Sequence, residues 1–141
     1  LKSIVAYPEP RALPDFSLDG GDGSAIDEAA LAGRWHLVFL GFTHCPDICP
    51  TTLAQMAAVE KQLADVPEAQ RPRILFVSAD PERDTAQKTA EYARHFSPGA
   101  LGATADHARL EPFVRSLHMV YMKSDLPGGD FETLSRSIKT Q

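Results

Sequence analysis

Trp35-His36-Leu37-Val38-Phe39-Leu40-Gly41-Phe42 runs directly into Thr43-His44-Cys45-Pro46-Asp47-Ile48-Cys49-Pro50. The fold turns on this junction. The first eight residues are almost continuously apolar, and helical patterns lie on both sides. Such a run predicts a central strand buried on both faces. Beyond Pro50, Leu53, Met56, Ala57, Val59, Glu60 and Leu63 recur at helical spacing. They predict a helix over about 51–65, with Pro50 suited to its first turn.

The pattern repeats downstream. Ile74 to Ala79 predicts a second buried strand, followed by Asp80-Pro81-Glu82-Arg83-Asp84. Asp84 or Thr85 is placed to cap a helix running to about His95. Leu101 to Thr104 predicts a third strand, Asp106 or Thr104 caps a helix to Leu117, and Met119 to Lys123 predicts a fourth strand. Residues 124–130 form a Pro/Gly loop, and Phe131, Leu134, Ser135 and Ile138 share one helical face. Upstream, Asp15 to Leu18 alternates like a short strand. Asp19 to Gly23 composes a turn, and Asp27 to Leu31 a helical turn stopped by Gly33. Residues 1–13, with Pro8 and Pro10, predict an extended arm, and 14–141 a single domain. Strands alternating with helices argue for an α/β sandwich with parallel pairs in the sheet. The Cys45–Cys49 segment then sits at the carboxyl end of a strand, where α/β folds place their sites.

Composition narrows the function. The chain has 141 residues, ordinary for one domain, and a net charge of −5. That balance argues against a nucleic-acid footprint, which needs a basic face. No Lys/Arg run offers a dock for anionic lipid. The longest apolar stretch, 35–42, is far short of the roughly 20 residues that span a bilayer. The chain begins with Leu1 rather than methionine, and an upstream leader or anchor is expected.

Both cysteines of the chain fall within five residues, which is a site rather than a disulfide framework. Two converging thiols at a helix start have depressed pKa values. They can close a disulfide or hold a soft metal, Cu(I) being the softest common choice. Inert core packing is the alternative, and the flanking prolines Pro46 and Pro50 argue against it. Structural zinc would need four ligands, and none of the five histidines has a strong case by spacing. His36 reads as a packed or sheet-edge residue, His95 as a helix-end cation, and His107 as solvated. His44 adjoins Cys45 but strand alternation can turn it away, and His118 is undecided. Asp80 should lie beside the cysteine loop, where it can tune the site. The competing reading is capping together with an Arg83–Asp84 surface pair.

Gly41 to Pro50 and Asp80 to Thr85 together resemble the two hallmark segments of the Sco/SenC family of copper chaperones. Pro14-Asp15-Phe16, Phe96-Ser97-Pro98 and Val120-Tyr121 support the likeness, which covers about 14–130. The resemblance implies a thioredoxin-like fold with a central mixed β-sheet flanked by helices. It implies Cu(I) or Cu(II) held by Cys45, Cys49 and a distant histidine; in such a site Asp47 and Asp80 are expected to shape the loop. It further implies a role in building the copper centre of cytochrome c oxidase, with that enzyme's copper-binding subunit or another copper chaperone as partner. The implied location is membrane-anchored, facing the periplasm or the mitochondrial intermembrane space. The third ligand cannot be named, because Gly129-Asp130-Phe131 is followed by Glu132-Thr133-Leu134 without the family's histidine. The expectation is that a segment is missing between Asp130 and Phe131 and that a final helix starts at Phe131. Without that segment the protein would lack the third ligand.

Three functions compete on these residues. The first is a metallochaperone using the Cys45/Cys49 dithiolate. The second is a thiol–disulfide oxidoreductase that reduces the cysteines of the copper-receiving partner. The third, a peroxidase of thioredoxin fold, needs a cation activating one cysteine, and Arg73 and Arg83 are weak candidates.

Overall fold

The structure, a computed structural model, describes residues 8–9, 13–44, 48–117, 122–123 and 131–132. Seven strands and four α-helices follow one another among them. Strands β1 (Ser17–Gly20) and β2 (Ala25–Asp27) lead through helix α1 (Glu28–Leu31) to β3 (His36–Gly41). Helix α2 (Ile48–Gln62), β4 (Arg73–Ser78), α3 (Ala86–Phe96), β5 (Leu101–Thr104) and α4 (His107–Ser116) complete the alternation. The short strands β6 (Met122–Lys123) and β7 (Phe131–Glu132) pair with each other.

Five strands form one mixed sheet in the order β2-β1-β5-β4-β3. β3, β4 and β5 are parallel, while β1 runs antiparallel to both β5 and β2. Side chains along β4 alternate between two cores, as the strand period of two requires. Ile74 and Phe76 pack with Leu53, Ala93 and Ala100 under α2 and α3. Leu75 and Val77 face the other way, among Leu40, Leu110, Phe113 and Val114 beneath α4. The expected sandwich, sheet between helices, is therefore present.

Helix starts follow their caps. Asp27 accepts the Ala30 N–H, Thr85 the Lys88 N–H and Asp106 the Arg109 N–H, each from the N-cap position. Thus Thr85 rather than Asp84 caps α3, and Asp106 rather than Thr104 caps α4. Gly33, past the end of α1, adopts φ +79°, a left-handed conformation that side chains disfavour.

Two expectations fail. β3 is not central: it is the outer strand of the sheet, paired with β4 alone among the described residues. Its first four residues are half-buried, and only Leu40 and Gly41 are fully buried. Hydropathy reports faces covered by helices, not which strand lies alongside, so an outer strand with covered faces resembles a central one. A helix from Phe131 is also excluded, because Phe131 pairs with Lys123 and Glu132 with Met122. The other positions read as that helical face, 134, 135 and 138, lie outside the described residues. Asp130, and with it the expected missing segment, lies outside the described residues.

Helix α3 lies unusually close to the sheet. A Cβ built on Gly102 would stand 2.4 Å from both the backbone N and Cα of Ala90. One built on Gly21 would stand 2.2 Å from the Ala90 methyl. Ala90 thus fills a slot that only two glycines leave open. Gly102→Ala must push α3 off β5, and overpacking against backbone falls at the upper end of the usual ~1–3 kcal/mol or beyond it. At about 2–4 °C per kcal/mol for a domain near this size, the melting temperature should fall by roughly 10 °C in a thermal scan. An unchanged melting temperature would contradict this packing.

Candidate metal-binding loop and its buried anchor

Parallel pairing brings the carboxyl ends of β3 and β4 together, with Gly41 opposite Ser78. The chain leaves β3 into the cysteine loop and leaves β4 into Asp80-Pro81-Glu82-Arg83-Asp84, so the two loops start side by side. The Ala79 N–H donates to the Gly41 carbonyl at 2.8 Å, extending the pairing by one bond.

Asp84 joins them. Its carboxylate is wholly buried and acts as acceptor at each hydrogen bond described. Oδ2 takes the backbone N–H of Thr43 at 2.9 Å and the hydroxyl of Ser78 at 2.7 Å. Oδ1 takes the Thr43 hydroxyl at 2.5 Å. Two nitrogens stand farther off, Lys88 Nζ at 3.9 Å and His44 Nδ1 at 3.7 Å from Oδ1. Ser78 is itself fully buried and accepts the Asp80 N–H through its hydroxyl. Thr104, on β5, donates its hydroxyl to the Ser78 carbonyl at 3.0 Å. This chain of bonds runs from β5 to the residue two places before Cys45.

Asp80 follows β4 into the loop that starts beside the cysteine segment. It is buried, and Oδ2 pairs with Arg83 three residues on. Oδ1 is buried with no hydrogen-bond partner among the described residues. The Arg83 guanidinium carbon lies 6.0 Å from the centroid of the Phe42 ring, within cation–π range. Arg83 thus stands between the Asp80 carboxylate and the Phe42 ring. The expected Arg83–Asp84 surface pair does not form: Arg83 pairs with Asp80, and Asp84 is turned inward, because a buried carboxylate needs the donors that Thr43 and Ser78 supply.

Of the predicted site residues, Cys45 and Asp47 lie outside the described residues. Cys49 is described as a backbone position in the first turn of α2, which begins at Ile48, three residues earlier than its hydrophobic periodicity predicts. A helix N-terminus presents free N–H groups and the positive end of its dipole, conditions that favour a thiolate. His44 is exposed, beside the anchor rather than turned away. His36 sits at the other end of β3, where Nε2 accepts from Arg73 Nε at 3.2 Å. Burial, then the Arg73 charge, holds its pKa below the ordinary histidine range. His95 packs edge-on to Phe96, and His107 contacts Glu82 at 2.6 Å. His118 lies outside the described residues. Among the described residues no three His, Cys, Asp or Glu side chains cluster to hold a metal. No described helix is long and apolar enough to cross a membrane.

Sequence reasoning missed the Thr43–Asp84–Ser78 tie. One signal was available: a serine ending an apolar buried strand must find a partner, and Asp84 is the acceptor nearest in sequence beyond the turn.

The SCO1/SenC family pattern matches residues 6–140. The chain is 37% identical over 122 residues to the mitochondrial SCO1 homolog 1 of Arabidopsis thaliana, covering 82% of this chain and 34% of that protein. It is 33% identical over 129 residues to a Stutzerimonas stutzeri relative, covering 92% of this chain and 63% of that one. The chain thus spans about one third to under two thirds of the length of these relatives. Among solved structures, Arabidopsis thaliana ScoI with copper bound superposes with a TM-score of 0.75 at 36% identity, over 84% of this chain and 73% of that one. Bradyrhizobium japonicum ScoI with copper bound gives 0.73 at 32%, over 85% and 76%. BsSco, a Sco-family cytochrome c oxidase assembly protein with an identified disulfide switch, gives 0.60 at 26%, over 74% and 62%. These neighbours share the thioredoxin-like arrangement of sheet and helices found here, and with the family pattern running through the anchored loop the chain belongs to the SCO1/SenC family.

Proposed function

We propose that this protein binds copper through the thiolates of Cys45 and Cys49 and delivers it to the copper centre of cytochrome c oxidase. One observation carries the reading: the chain's only cysteines flank the start of α2 at the carboxyl end of β3, immediately after a residue pair anchored by a buried carboxylate. Copper-bound relatives of the same fold support it. Soft thiolates suit Cu(I), which tolerates few donors, while Cu(II) prefers an added imidazole. The copper is cargo, so the site has to release it as well as hold it. The Asp84 tie to Thr43 fixes where the loop leaves β3. The recipient is the oxidase's copper-binding subunit or another copper chaperone. The working location is the periplasmic face of the inner membrane or the mitochondrial intermembrane space, with anchoring by a segment upstream of the chain. The expected test is transfer: the Cu(I)-loaded protein should pass its copper to the reduced copper-binding domain of the oxidase subunit. Failure to transfer to that domain would remove the delivery step.

A second reading, thiol–disulfide exchange with the partner's cysteines, draws on the disulfide switch identified in BsSco. The two chemistries share one requirement, a reduced dithiol, because a disulfide has no thiolate to donate. The i, i+4 spacing permits closure, since one helical turn gives roughly the 4.4–6.8 Å between Cα atoms that a disulfide needs. Oxidised protein is therefore expected to take up no copper in an equilibrium dialysis that loads the reduced protein one to one. Equal uptake by both forms would overturn the dithiolate site.

A further inference from the structure

The end of the sheet opposite the cysteine loop carries a cationic cleft that copper binding leaves unused. The start of β3, the start of β4, the end of α2 and the chain after α3 enclose about 360 Å³. Arg34, Lys61, Arg71 and Arg73 line it, against Glu60 and Glu68. These bases are dispersed in the sequence, and the fold gathers them on a chain whose net charge is −5. Their polar contacts are to neutral acceptors. Arg34 Nε donates to the Arg71 carbonyl at 3.0 Å. Arg71 donates from Nε to the Val66 carbonyl at 2.6 Å and from Nη2 to the Ala64 carbonyl at 2.9 Å. Arg73 donates to His36 Nε2. Among the described residues, none of the four makes an ion pair with a carboxylate. Glu60 is committed to the Ser97 hydroxyl at 2.7 Å. Burial and the Arg34 charge both press on Arg73, so like charges are held together without a counterion.

Beside the cleft stands Trp35, the chain's single tryptophan and 80% exposed. It follows Arg34 directly, and its carbonyl accepts the Arg73 N–H at 2.9 Å. Tryptophan and arginine are the residues that most often dominate binding energy at protein interfaces. An exposed large aromatic beside uncompensated guanidinium groups is an unfilled version of that pairing.

We propose that this cleft docks an acidic segment of a partner protein, its carboxylates on the arginine forks and an apolar neighbour on Trp35. Guanidinium groups match carboxylates two bonds at a time. Their setting favours a polypeptide over a lipid surface, because the arginines are half-buried in a recess that side chains enter and a plane of headgroups does not. The cleft lies about 17 Å from the cysteine loop, the rise of the five strand steps between His36 and Gly41 at ~3.3 Å each. A partner bound there leaves the loop open. The proposal does not depend on copper and is tested on the metal-free, reduced chain.

The probe is a fluorescein-labelled peptide, Glu-Glu-Leu-Asp-Glu-Leu, followed by anisotropy in 50 mM salt. Saturable binding tighter than roughly millimolar is expected, weakened at least about tenfold by 0.5 M salt as screening requires. Arg34→Glu and Trp35→Ala should each weaken it about tenfold or more; the exposed Trp35 makes the second variant safe for folding. Arg115→Glu, on the exposed face of α4 beside Glu111, should bind like the parent. Absence of saturable binding, or parental affinity in both cleft variants, overturns the proposal. So does a shift in Trp35 emission with phosphatidylglycerol vesicles but not with the peptide, which would assign the cleft to a membrane instead.

Discussion

Cys45→Ser or Cys49→Ser should each lower copper affinity by more than about 100-fold, beyond the 10–100-fold that follows loss of a supporting partner around a metal. The two thiolates supply the soft donors of the proposed site, and serine is a harder oxygen donor that stays protonated near neutral pH. Serine differs from cysteine by a single atom, so the circular dichroism of each variant should match that of the parent. Stoichiometric loading followed by competition with a Cu(I) chelator measures the effect. Sulfur-to-copper charge-transfer absorption should vanish in the same variants when Cu(II) is offered. Parental affinity in either single variant would show that the dithiolate is not the site.

Asp84→Ala should be the most destabilising polar substitution near the loop. It leaves the fully buried Ser78 hydroxyl and both donors of Thr43 without their acceptor, at roughly 1–3 kcal/mol for each buried group left unsatisfied. A total near 3–5 kcal/mol is expected, comparable with removing one partner of a buried charged pair. The midpoint of urea unfolding should drop accordingly, with an unchanged slope. Copper affinity should fall too, because Thr43 is then free and the cysteine loop loses its fixed end. Lys88→Ala is the contrast. Its amine is half-exposed and 3.9 Å from the carboxylate, and a solvent-screened pair of that kind is worth less than ~1 kcal/mol. If Asp84→Ala and Lys88→Ala melt alike, the anchor is not what holds the loop.

Periodicity and turn chemistry were enough to read the alternation of strands and helices. β5 lies at the residues its sequence indicated, and the start of α1 followed from Asp27 and its stop from Gly33. Lateral order was not legible. β3 sits outside β4 because of hydrogen bonds between strands, and no hydropathy pattern encodes which neighbour a strand takes. The start of α2 was misplaced for a different reason: its first turn carries Cys49 and Pro50 rather than the apolar stripe by which helices are recognised. The cysteine pair stands out in the sequence because two cysteines within five residues are chemically unusual, and Cys45 lies outside the described residues. Asp84 does not stand out, since an acidic residue before a helix reads equally as a cap, and only the fold shows Thr85 taking that role while the carboxylate turns inward. The cationic cleft was hidden because its bases are separated by up to 39 positions, from Arg34 to Arg73.

The outer position of β3 also sets a gradient of local opening across the sheet. β4 is hydrogen-bonded on both sides, to β3 and to β5, and its side chains are almost wholly buried. Among the described residues β3 is held on one side, by β4, with half-buried residues along most of its length. Amide exchange is governed by the least costly opening that frees a given N–H. Protection should therefore peak in β4 and decline toward β3, whose separation from the sheet breaks one ladder rather than two. Thr43, just beyond this more easily released strand, is tied to the neighbouring loop by the buried Asp84 carboxylate. Its N–H should therefore exchange more slowly than the one-sided ladder of β3 alone would give, which sets a protected point at the far end of the strand.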